Sequence, residues 1–198
     1  MTTRDVRAVL FDVAGPIYDD LRARQPGSLR RRLATELLGD AADRDLLHAR
    51  TAPDRVHPPG TMYDDVLPCL AALRGRVRVV VLANQEAALV DALQRDGVTD
   101  FVDVWGVSAL VGREKPDPEV FAWALGQAGG EPNEAVHVGD RLDTDVRPAK
   151  ALGLGTVWVL RGEAPSDPTP EQLAEPNVAV RDLTTLPDAV FRLAGESA

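Results

Sequence analysis

Residues 134–160 read EAVHVGDRLDTDVRPAKALGLGTVWVL, and this stretch decides the fold class. It begins with a short apolar run at 134–140, ends with another at 155–160, and has a helical pattern between them from about 143 to 152. Both runs are apolar on both faces, which is typical of strands that helices cover on both sides of a parallel sheet. The stretch therefore predicts a strand–helix–strand unit.

The rest of the chain repeats this alternation. Further strands are predicted at 6–12 (VRAVLFD), 77–84 (VRVVVLAN), 101–107 (FVDVWGV) and, with a weaker pattern, 177–182 (NVAVRD). Other helical patterns, with apolar residues on one face, occupy 85–97, 117–130 and 184–193. Regular alternation of short buried strands and amphipathic helices predicts an α/β fold with a Rossmann-like, doubly wound parallel sheet.

The stretch from 16 to 62 interrupts the alternation. It contains helical patterns at 28–39 and 42–49 and a proline-rich return, but no convincing strand. We interpret 16–62 as a small helical cap inserted after the first strand, at the carboxyl edge of the sheet, where open α/β sheets bind their ligands. The predicted organisation is a core formed by 1–15 and 63–198, with the cap between them.

Composition narrows the function classes. The 198 residues carry 22 basic and 31 acidic side chains, a net charge of −9, which argues against a nucleic-acid partner. No apolar run is long enough to span a membrane and the start has no signal-peptide core, so we expect a cytoplasmic protein without a membrane partner. The single Cys69 excludes an internal disulfide and a cysteine-cluster zinc site.

Polar residues follow several of the predicted strands. A carboxylate in such a position is often only the N-cap of the next helix, so each one alone is a weak signal. Together they predict a site, because the carboxyl ends of parallel strands meet at one edge of the sheet. The residues are Asp12 after the first strand, Ala83 and Asn84 after the second, Lys115 before the helix at 117–130, and Asp140, Asp143 and Asp145 after the strand at 134–140.

In this order the motifs resemble those of the haloacid dehalogenase (HAD) superfamily, especially its phosphatase-like branch. The resemblance covers about residues 6–160, and its most specific parts are GREKPDPEVF (112–121) and VHVGDRLDTD (136–145). It implies a Rossmann-like core, a helical cap between the first two motifs, and a Mg²⁺-dependent hydrolase acting on a small phosphorylated or other anionic substrate.

The resemblance also implies roles for individual residues. Asp12 matches the nucleophile that forms an aspartyl-phosphate. Lys115 matches the ammonium group that offsets the charge of the phosphate, and Asn84 matches the polar residue that closes the second motif. The implied metal site consists of Asp12, the backbone carbonyl of Ala14, Asp140 and Asp145. Asp143 is off the family pattern, and we expect it to be a residue of the helix N-terminus.

Two positions depart from the family pattern. In most of the phosphatases a second aspartate stands two residues after the nucleophile, where it protonates the leaving group and activates water; here that position is Ala14. Loss of such a group typically costs about 10²–10⁴ in rate. In the second motif, Ala83 replaces a hydroxyl residue that would hold a phosphoryl oxygen. The sequence leaves open whether Asp19 or Asp20 takes over the acid/base role.

These departures leave two main hypotheses about the function. The first is a HAD-like hydrolase with weakened acid/base function. The second is a catalytically weak or inactive protein of the same fold that binds a phosphorylated ligand or a partner. Haloacid dehalogenation is less favoured, because dehalogenases need no Mg²⁺ and generally lack the carboxylate that Asp140 represents. Phosphonate cleavage needs a cap lysine, and 13–62 contains none. The oligomeric state stays open, including a homodimer.

Overall fold

The computed structural model describes residues 6–19 and 61–193. Within these residues the chain forms one sheet of six strands, and every neighbouring pair is parallel. The order β3-β2-β1-β4-β5-β6 is that of a doubly wound Rossmann-like sheet. The strands are β1 (Ala8–Phe11), β2 (Arg78–Ala83), β3 (Val104–Val107), β4 (Ala135–Gly139), β5 (Gly155–Val159) and β6 (Val178–Val180).

Helices cover both faces of the sheet. Buried side chains of α1, α2 and α7 belong to the apolar cluster on one face, and those of α4 and α5 belong to the cluster on the other. None of the helices in the described part of the chain has the length and apolar character that crossing a bilayer requires. The helices are α1 (Val66–Leu73), α2 (Leu89–Arg95), α3 (Ser108–Val111), α4 (Pro118–Ala128), α5 (Arg147–Ala151), α6 (Pro170–Leu173) and α7 (Leu186–Leu193).

The central strand β1 explains why the pattern is apolar without alternation. Val9 and Phe11 pack into one apolar cluster, while Ala8 and Leu10 pack into the other. All four residues are fully buried, because helices lie against both faces of the strand. Because β1 is buried on both sides, the position of the next residue, Asp12, is fixed at the end of the strand.

The two halves of the sheet meet between the neighbours β1 and β4, and the connection from β3 to β4 carries the chain from one half to the other. Asp12 extends this pairing, since its backbone N–H donates to the carbonyl of Val138 at 2.8 Å. Strand order reverses at this point, and in open α/β sheets the crevice outside the strand ends there is the usual ligand site.

All six predicted strands are confirmed, including the weak one at 177–182. Two helices differ from their predicted extent. The helix expected at 85–97 begins only at Leu89, and the one expected from 143 to 152 is a π-helical turn (Leu142–Val146) followed by α5. Pro148 accounts for the second difference, because it has no N–H to donate and its ring would clash with a carbonyl four residues earlier in a continuous α-helix.

The two ends of the predicted cap lie against the core. Tyr18 is buried, its backbone bridges to Ala14 and Met62, and its hydroxyl donates to Asp96 Oδ2 at 2.7 Å. The predicted helices at 28–39 and 42–49 lie outside the described residues. The cap and its boundaries therefore stay a prediction.

Candidate active site

Three buried carboxylates meet at the carboxyl edge of the sheet. Asp12 follows β1, Asp140 follows β4, and Asp145 lies in the π-helical turn that comes next. One ligand oxygen from each carboxylate lies within 4.8 Å of the other two, and all three residues are buried. Such a concentration of negative charge away from water is unstable unless positive charge lies beside it.

Lys115 supplies part of that charge. Its Nζ lies 2.6 Å from Asp145 Oδ1 and 2.8 Å from Asp12 Oδ1, and only 4% of the residue is exposed. Burial lowers the pKa of Lys115, but the two carboxylates outweigh burial and raise it above its ordinary value. The ammonium group therefore stays charged between the two carboxylates.

Asp145 has partners at both oxygens. Oδ1 accepts from Lys115 Nζ and lies 3.1 Å from His137 Nε2, while Oδ2 accepts from the backbone N–H of Arg141 at 3.1 Å. Burial alone would raise the pKa of Asp145, yet Lys115 and His137 outweigh it and hold the pKa below its usual range. Asp145 is thus a charged group that the protein itself neutralises.

Gly139 makes room for Asp145. A Cβ atom at this position, the last residue of β4, would lie 2.3 Å from Asp145 Cγ. Any side chain at 139 would push the carboxylate out of the position in which it meets Lys115. The glycine before Asp140 is therefore required by close approach.

His137 lies beneath the site, inside β4. Its ring is 1% exposed and meets the Phe121 ring edge-on, with centroids 5.2 Å apart. Burial lowers the pKa of His137, so the ring is neutral near pH 7 and donates its Nε2–H to Asp145 in the tautomer that the carboxylate favours.

Asp140 contrasts with Asp145. Its Oδ2 accepts from the backbone N–H of Glu163 at 2.6 Å, and its backbone carbonyl accepts from Trp158 Nε1 at 2.8 Å. For Oδ1, however, the described residues provide no hydrogen-bond partner, although the atom is buried. Burial, together with the charges of Asp12 and Asp145, raises the pKa of Asp140 well above its ordinary value.

Asp12 shares one feature with each of the other two carboxylates: like Asp145 it contacts Lys115, and like Asp140 it has a raised pKa. Burial raises its pKa to about 6, partly opposed by the neighbouring Lys115 and reinforced by Asp145. The carboxylate is therefore deprotonated above neutrality and is held in place by the ammonium group at Oδ1. A nucleophile needs the deprotonated form, so the position and the charge state of Asp12 both suit that role.

Two glycines let the loops close around Asp140. Gly15 has φ +105° and Gly162 has φ +67°, both in the left-handed region that favours glycine. A Cβ at Gly15 would lie 2.2 Å from Asp140 Oδ2, and one at Gly162 would lie 2.4 Å from the same atom. The turns after β1 and β5 thus approach the carboxylate more closely than any residue with a side chain allows.

These residues fit a divalent cation. Asp140 Oδ1 is a buried oxygen without a donor among the described residues. Asp12 is its neighbour, and a ligand oxygen of Asp12 lies within 4.8 Å of one of Asp140. Carboxylate oxygens are the ligands that Mg²⁺ prefers, and a cation between them would favour the charged form of both. Asp145 belongs to the same group of carboxylates, although both of its oxygens already have partners, and metal binding by Asp145 stays a prediction.

Asn84 is directed at the backbone of Lys115 and not at the carboxylates. Its Oδ1 accepts from the N–H of Lys115 at 2.8 Å, and its Nδ2 donates to the carbonyl of Lys115 at 2.7 Å. The side chain therefore fixes the loop that carries the ammonium group. The place of Asn84 among the catalytic residues, as the resemblance implies, stays a prediction.

The two alanines that depart from the family pattern lie where the motifs place them. Ala83 is the buried last residue of β2, and Ala14 is half-buried in the turn after β1. Asp19, a candidate for substitute acid/base, contacts the hydroxyl of Tyr63 at 3.5 Å, and Asp20 lies outside the described residues. Metal binding by the carbonyl of Ala14 stays a prediction.

The residues that sequence reasoning missed are on the loop after β5 and next to Asp140. Arg141 donates to both oxygens of Asp143, at 3.0 and 2.8 Å, and its third guanidinium nitrogen lies 3.0 Å from Glu163. Asp143 is thus part of an ion-pair network at the start of the π-helical turn. The only sequence signal for the Glu163 loop is Gly162, a glycine shortly after a buried strand.

Known proteins with a similar sequence include phosphatases. Glyceraldehyde 3-phosphate phosphatase from Methanopyrus kandleri is 39% identical over 103 residues, 51% of this chain and 44% of that protein. Phosphoserine phosphatase from Thermus thermophilus is 34% identical over 167 residues, 79% of this chain and 63% of that protein. The chain thus spans about half the length of the curated relatives it matches.

Solved structures agree with the fold. A HAD phosphatase from Thermococcus onnurineus superposes with a TM-score of 0.66 at 25% identity, covering 93% of this chain and 98% of that one. A 2-haloacid dehalogenase from Pseudomonas syringae gives a TM-score of 0.67 at 21% identity, covering 94% and 99%, which shows the shared fold alone.

The family model of haloacid dehalogenase-like hydrolases matches residues 24–153. The matched segment contains Lys115, Asp140 and Asp145 but begins after Asp12 and Ala14, so the first motif rests on the geometry described above. With about two thirds of its length matched, the chain belongs to the haloacid dehalogenase-like hydrolase family.

Proposed function

We propose that this protein is a Mg²⁺-dependent hydrolase of a small phosphorylated substrate, that Asp12 is its nucleophile, and that its acid/base function is weak. One observation carries the proposal: Asp12 and Asp140 are buried side by side, with an unpartnered oxygen on Asp140 and the ammonium group of Lys115 on Asp12. The phosphatase names of the relatives support the substrate class.

Asp12 and Asp140 would hold the cation. Mg²⁺ bound there would offset the negative charge of the carboxylates and of an incoming phosphate. Lys115 adds a fixed positive charge on the other side of Asp12, held by Asp145 and by the backbone contacts of Asn84. A negatively charged nucleophile can approach a phosphate monoester only where such charges are in place.

The chemistry proceeds in two displacements. In the first, an oxygen of Asp12 attacks phosphorus, the bond from phosphorus to the leaving oxygen breaks, and an aspartyl-phosphate forms. In the second, water attacks phosphorus and releases orthophosphate, restoring the carboxylate. The first step needs a proton for an alkoxide leaving group, and the second needs a base for the water.

Ala14 is the reason to expect slow turnover. Its methyl group can neither donate nor accept a proton, whereas the family pattern has a carboxylate there. Ala83 likewise removes a hydroxyl contact to the phosphoryl group, about 1–2 kcal/mol where such a bond is made. Acyl and aryl phosphates lose least, because their leaving groups need little protonation, and we propose them as the best substrates.

The experiment is a substrate panel measured with Mg²⁺ and with EDTA. It contains an alkyl phosphate, an aryl phosphate, acetyl phosphate and a 2-haloacid, and it uses Asp12→Asn as the blank. The proposal requires phosphate release that depends on both Mg²⁺ and Asp12, faster for the aryl and acyl phosphates. Release of halide without Mg²⁺ would instead identify a dehalogenase.

The second candidate, a binding protein of the same fold, is favoured by the same Ala14. Without a base to activate water, an aspartyl-phosphate on Asp12 would persist. Intact mass after incubation with Mg²⁺ and acetyl phosphate separates the two readings. An adduct of one phosphoryl group that persists for hours in wild type and is missing in Asp12→Asn supports the binding protein, and release of phosphate supports the hydrolase.

Location and assembly are parts of the proposal that rest on the sequence. A cytoplasmic protein fits the acidic composition, the single buried Cys69 and the small phosphorylated substrates of the relatives. A homodimer that covers the site is left to direct measurement by light scattering.

A further inference from the structure

A second concave site lies at the opposite edge of the sheet. Arg7 precedes β1, Arg78 begins β2 and Asp103 precedes β3, so this edge is formed by the amino ends of the strands. A cleft of about 770 Å³ opens here, lined by these residues and by the loop between α1 and β2. That volume lies within the range of small-molecule sites.

The loop between α1 and β2 has an alternating sequence, Arg74-Gly75-Arg76-Val77-Arg78. Val77 is buried against the core, while the three arginines are exposed and line the cleft. Gly75 has φ +75° and open space around the position of a Cβ. The alternation therefore brings three exposed arginines to the cleft.

The charge of this cleft is opposite to that of the whole chain. Four arginines line it against two carboxylates, Asp100 and Asp103, in a protein with a net charge of −9. Two of the arginines form ion pairs with long nitrogen–oxygen distances: Arg78 lies 3.4 Å from Asp103, and Arg7 lies 3.7 Å from Glu134. Such exposed pairs are weak, so they can be replaced by a stronger anion.

Aromatic rings hold two of the guanidinium groups in position. Arg74 lies over the Phe101 ring at 5.4 Å, and Arg76 lies over the Phe191 ring at 3.5 Å. Stacking uses the flat face of a guanidinium group, whereas its N–H donors point outward in the plane. In the described part of the chain, no carboxylate lies within ion-pair distance of Arg74.

From these observations we infer that the cleft binds a small, multiply charged anion that carries a diphosphate or similar group. Guanidinium groups bind phosphate oxygens in pairs of parallel hydrogen bonds, and several of them together favour an anion with more than one charge. The site is separate from the carboxylates at the other edge of the sheet. A ligand bound in the cleft is therefore out of contact with Asp12.

The test is calorimetric titration with inorganic pyrophosphate and, separately, with adenosine diphosphate, in EDTA and at low ionic strength. The central variant is Arg74→Gln with Arg78→Gln. Arg192→Gln is the matched control, because Arg192 is an exposed arginine on α7 that does not line the cleft. Asp12→Asn controls for binding at the carboxylate site, and circular dichroism checks that every variant is folded.

Wild type, Arg192→Gln and Asp12→Asn should bind pyrophosphate equally, and the double variant should bind at least about tenfold more weakly. Added salt should weaken binding by wild type, as screening of exposed charges requires. Tighter binding of adenosine diphosphate than of pyrophosphate would assign an organic part to the ligand, and equal binding would assign the phosphate groups alone.

Three results would overturn the inference: no binding by wild type up to millimolar pyrophosphate, equal affinity in the double variant, or loss of binding in Asp12→Asn alone. The last result would place the anion at the carboxylate site. If the double variant is unfolded, Arg74→Gln alone decides, because Arg74 is exposed and lies over the ring of Phe101. Unchanged affinity in that folded variant would also overturn the inference.

Discussion

Asp140 and Asp145 lie five residues apart, at the same edge of the sheet, and are in opposite states. Asp145, together with Lys115 and His137, forms a paired half of the site in which both carboxylate oxygens have partners. Asp140, together with Asp12, forms an open half in which one buried oxygen has no partner among the described residues. The pKa of Asp145 is lowered and that of Asp140 is raised.

The difference lies in how the buried negative charge of each half is compensated. A buried charge is tolerated only where opposite charge or hydrogen bonds compensate for the lost water. In the paired half the protein provides this compensation itself, so that half positions the lysine. In the open half the described residues leave this compensation incomplete, and under the proposed function a bound cation would supply it.

The largest expected effect comes from adding the proton-transfer group that the open half lacks. Ala14→Asp places a carboxylate at the position of the family acid/base, and we expect turnover of an alkyl phosphate to rise by about 10²–10⁴. An aryl phosphate should gain much less, because its leaving group needs little protonation. Steady-state phosphate release measures both.

The matched control for Ala14→Asp is Ala14→Asn, which has nearly the same size and no acid/base function. Equal gains in the two variants, or no gain with the alkyl phosphate, would show that proton transfer is not what limits the wild-type enzyme. The contrast between an intact paired half and a deficient open half would then need another explanation.

The next largest effect is on stability, where removing a charge from the paired half and from the open half should have different consequences. Asp145→Asn leaves the buried Lys115 short of a carboxylate, and breaking a buried pair costs about 3–5 kcal/mol in the free energy of unfolding. Asp140→Asn removes repulsion from the open half, so stability in EDTA should stay equal or rise. Urea unfolding with EDTA and with Mg²⁺ measures both variants.

In the same experiment Mg²⁺ should stabilise wild type and Asp145→Asn, but it should no longer stabilise Asp140→Asn. A loss in Asp145→Asn that saturating Mg²⁺ restores in full would contradict the division. It would mean that Asp145 acts mainly as a metal ligand and that its contacts with Lys115 are secondary.

The smallest effect is a pH dependence. The pKa of Asp12 is about 6 in the folded protein and near 3.8 in its ordinary state, so the folded form binds the proton more tightly. Stability from this group is full below about pH 4 and is lost as the pH rises through 6, by about 2–3 kcal/mol. Asp145 has the opposite effect on stability, because its pKa is lowered: its contribution is present above its ordinary pKa of 3.8 and is lost only as the pH falls below that value.

At the proposed site Mg²⁺ would bind the deprotonated carboxylates, so the rise in melting temperature that it causes should be larger at pH 7.5 than at pH 5. Thermal unfolding at both values, with EDTA and with Mg²⁺, tests this expectation. Asp12→Asn should reduce the dependence without abolishing it, because the pKa of Asp140 is also raised. A Mg²⁺ effect that is equal at the two pH values in wild type would show that neither carboxylate titrates in this range.

The sheet could be predicted almost completely from the sequence. Strands buried on both faces leave a local signal, a short run of apolar β-branched residues, and all six such runs are strands. The helix after β4 was less predictable, because the break at Pro148 converts one expected helix into a π-helical turn and α5. Local pattern identifies an element but does not determine its hydrogen-bond register.

The site could be predicted only in part. Asp12, Lys115, Asp140 and Asp145 meet as expected, because strand ends bring them together. The partners of each oxygen depend on distances between loops that are far apart in sequence. The bond from the Glu163 N–H to Asp140 joins residues 23 positions apart and leaves no periodic signal.

The hydrogen bond from Trp158 to the carbonyl of Asp140 has an optical consequence. Indole emission responds to the electric field and to the hydrogen bond at its N–H, and Trp158 is fully buried, so bulk solvent does not mask the response. A change of charge at Asp140 therefore reaches the chromophore through one residue. The molecule contains an intrinsic fluorescent reporter on its own candidate metal ligand.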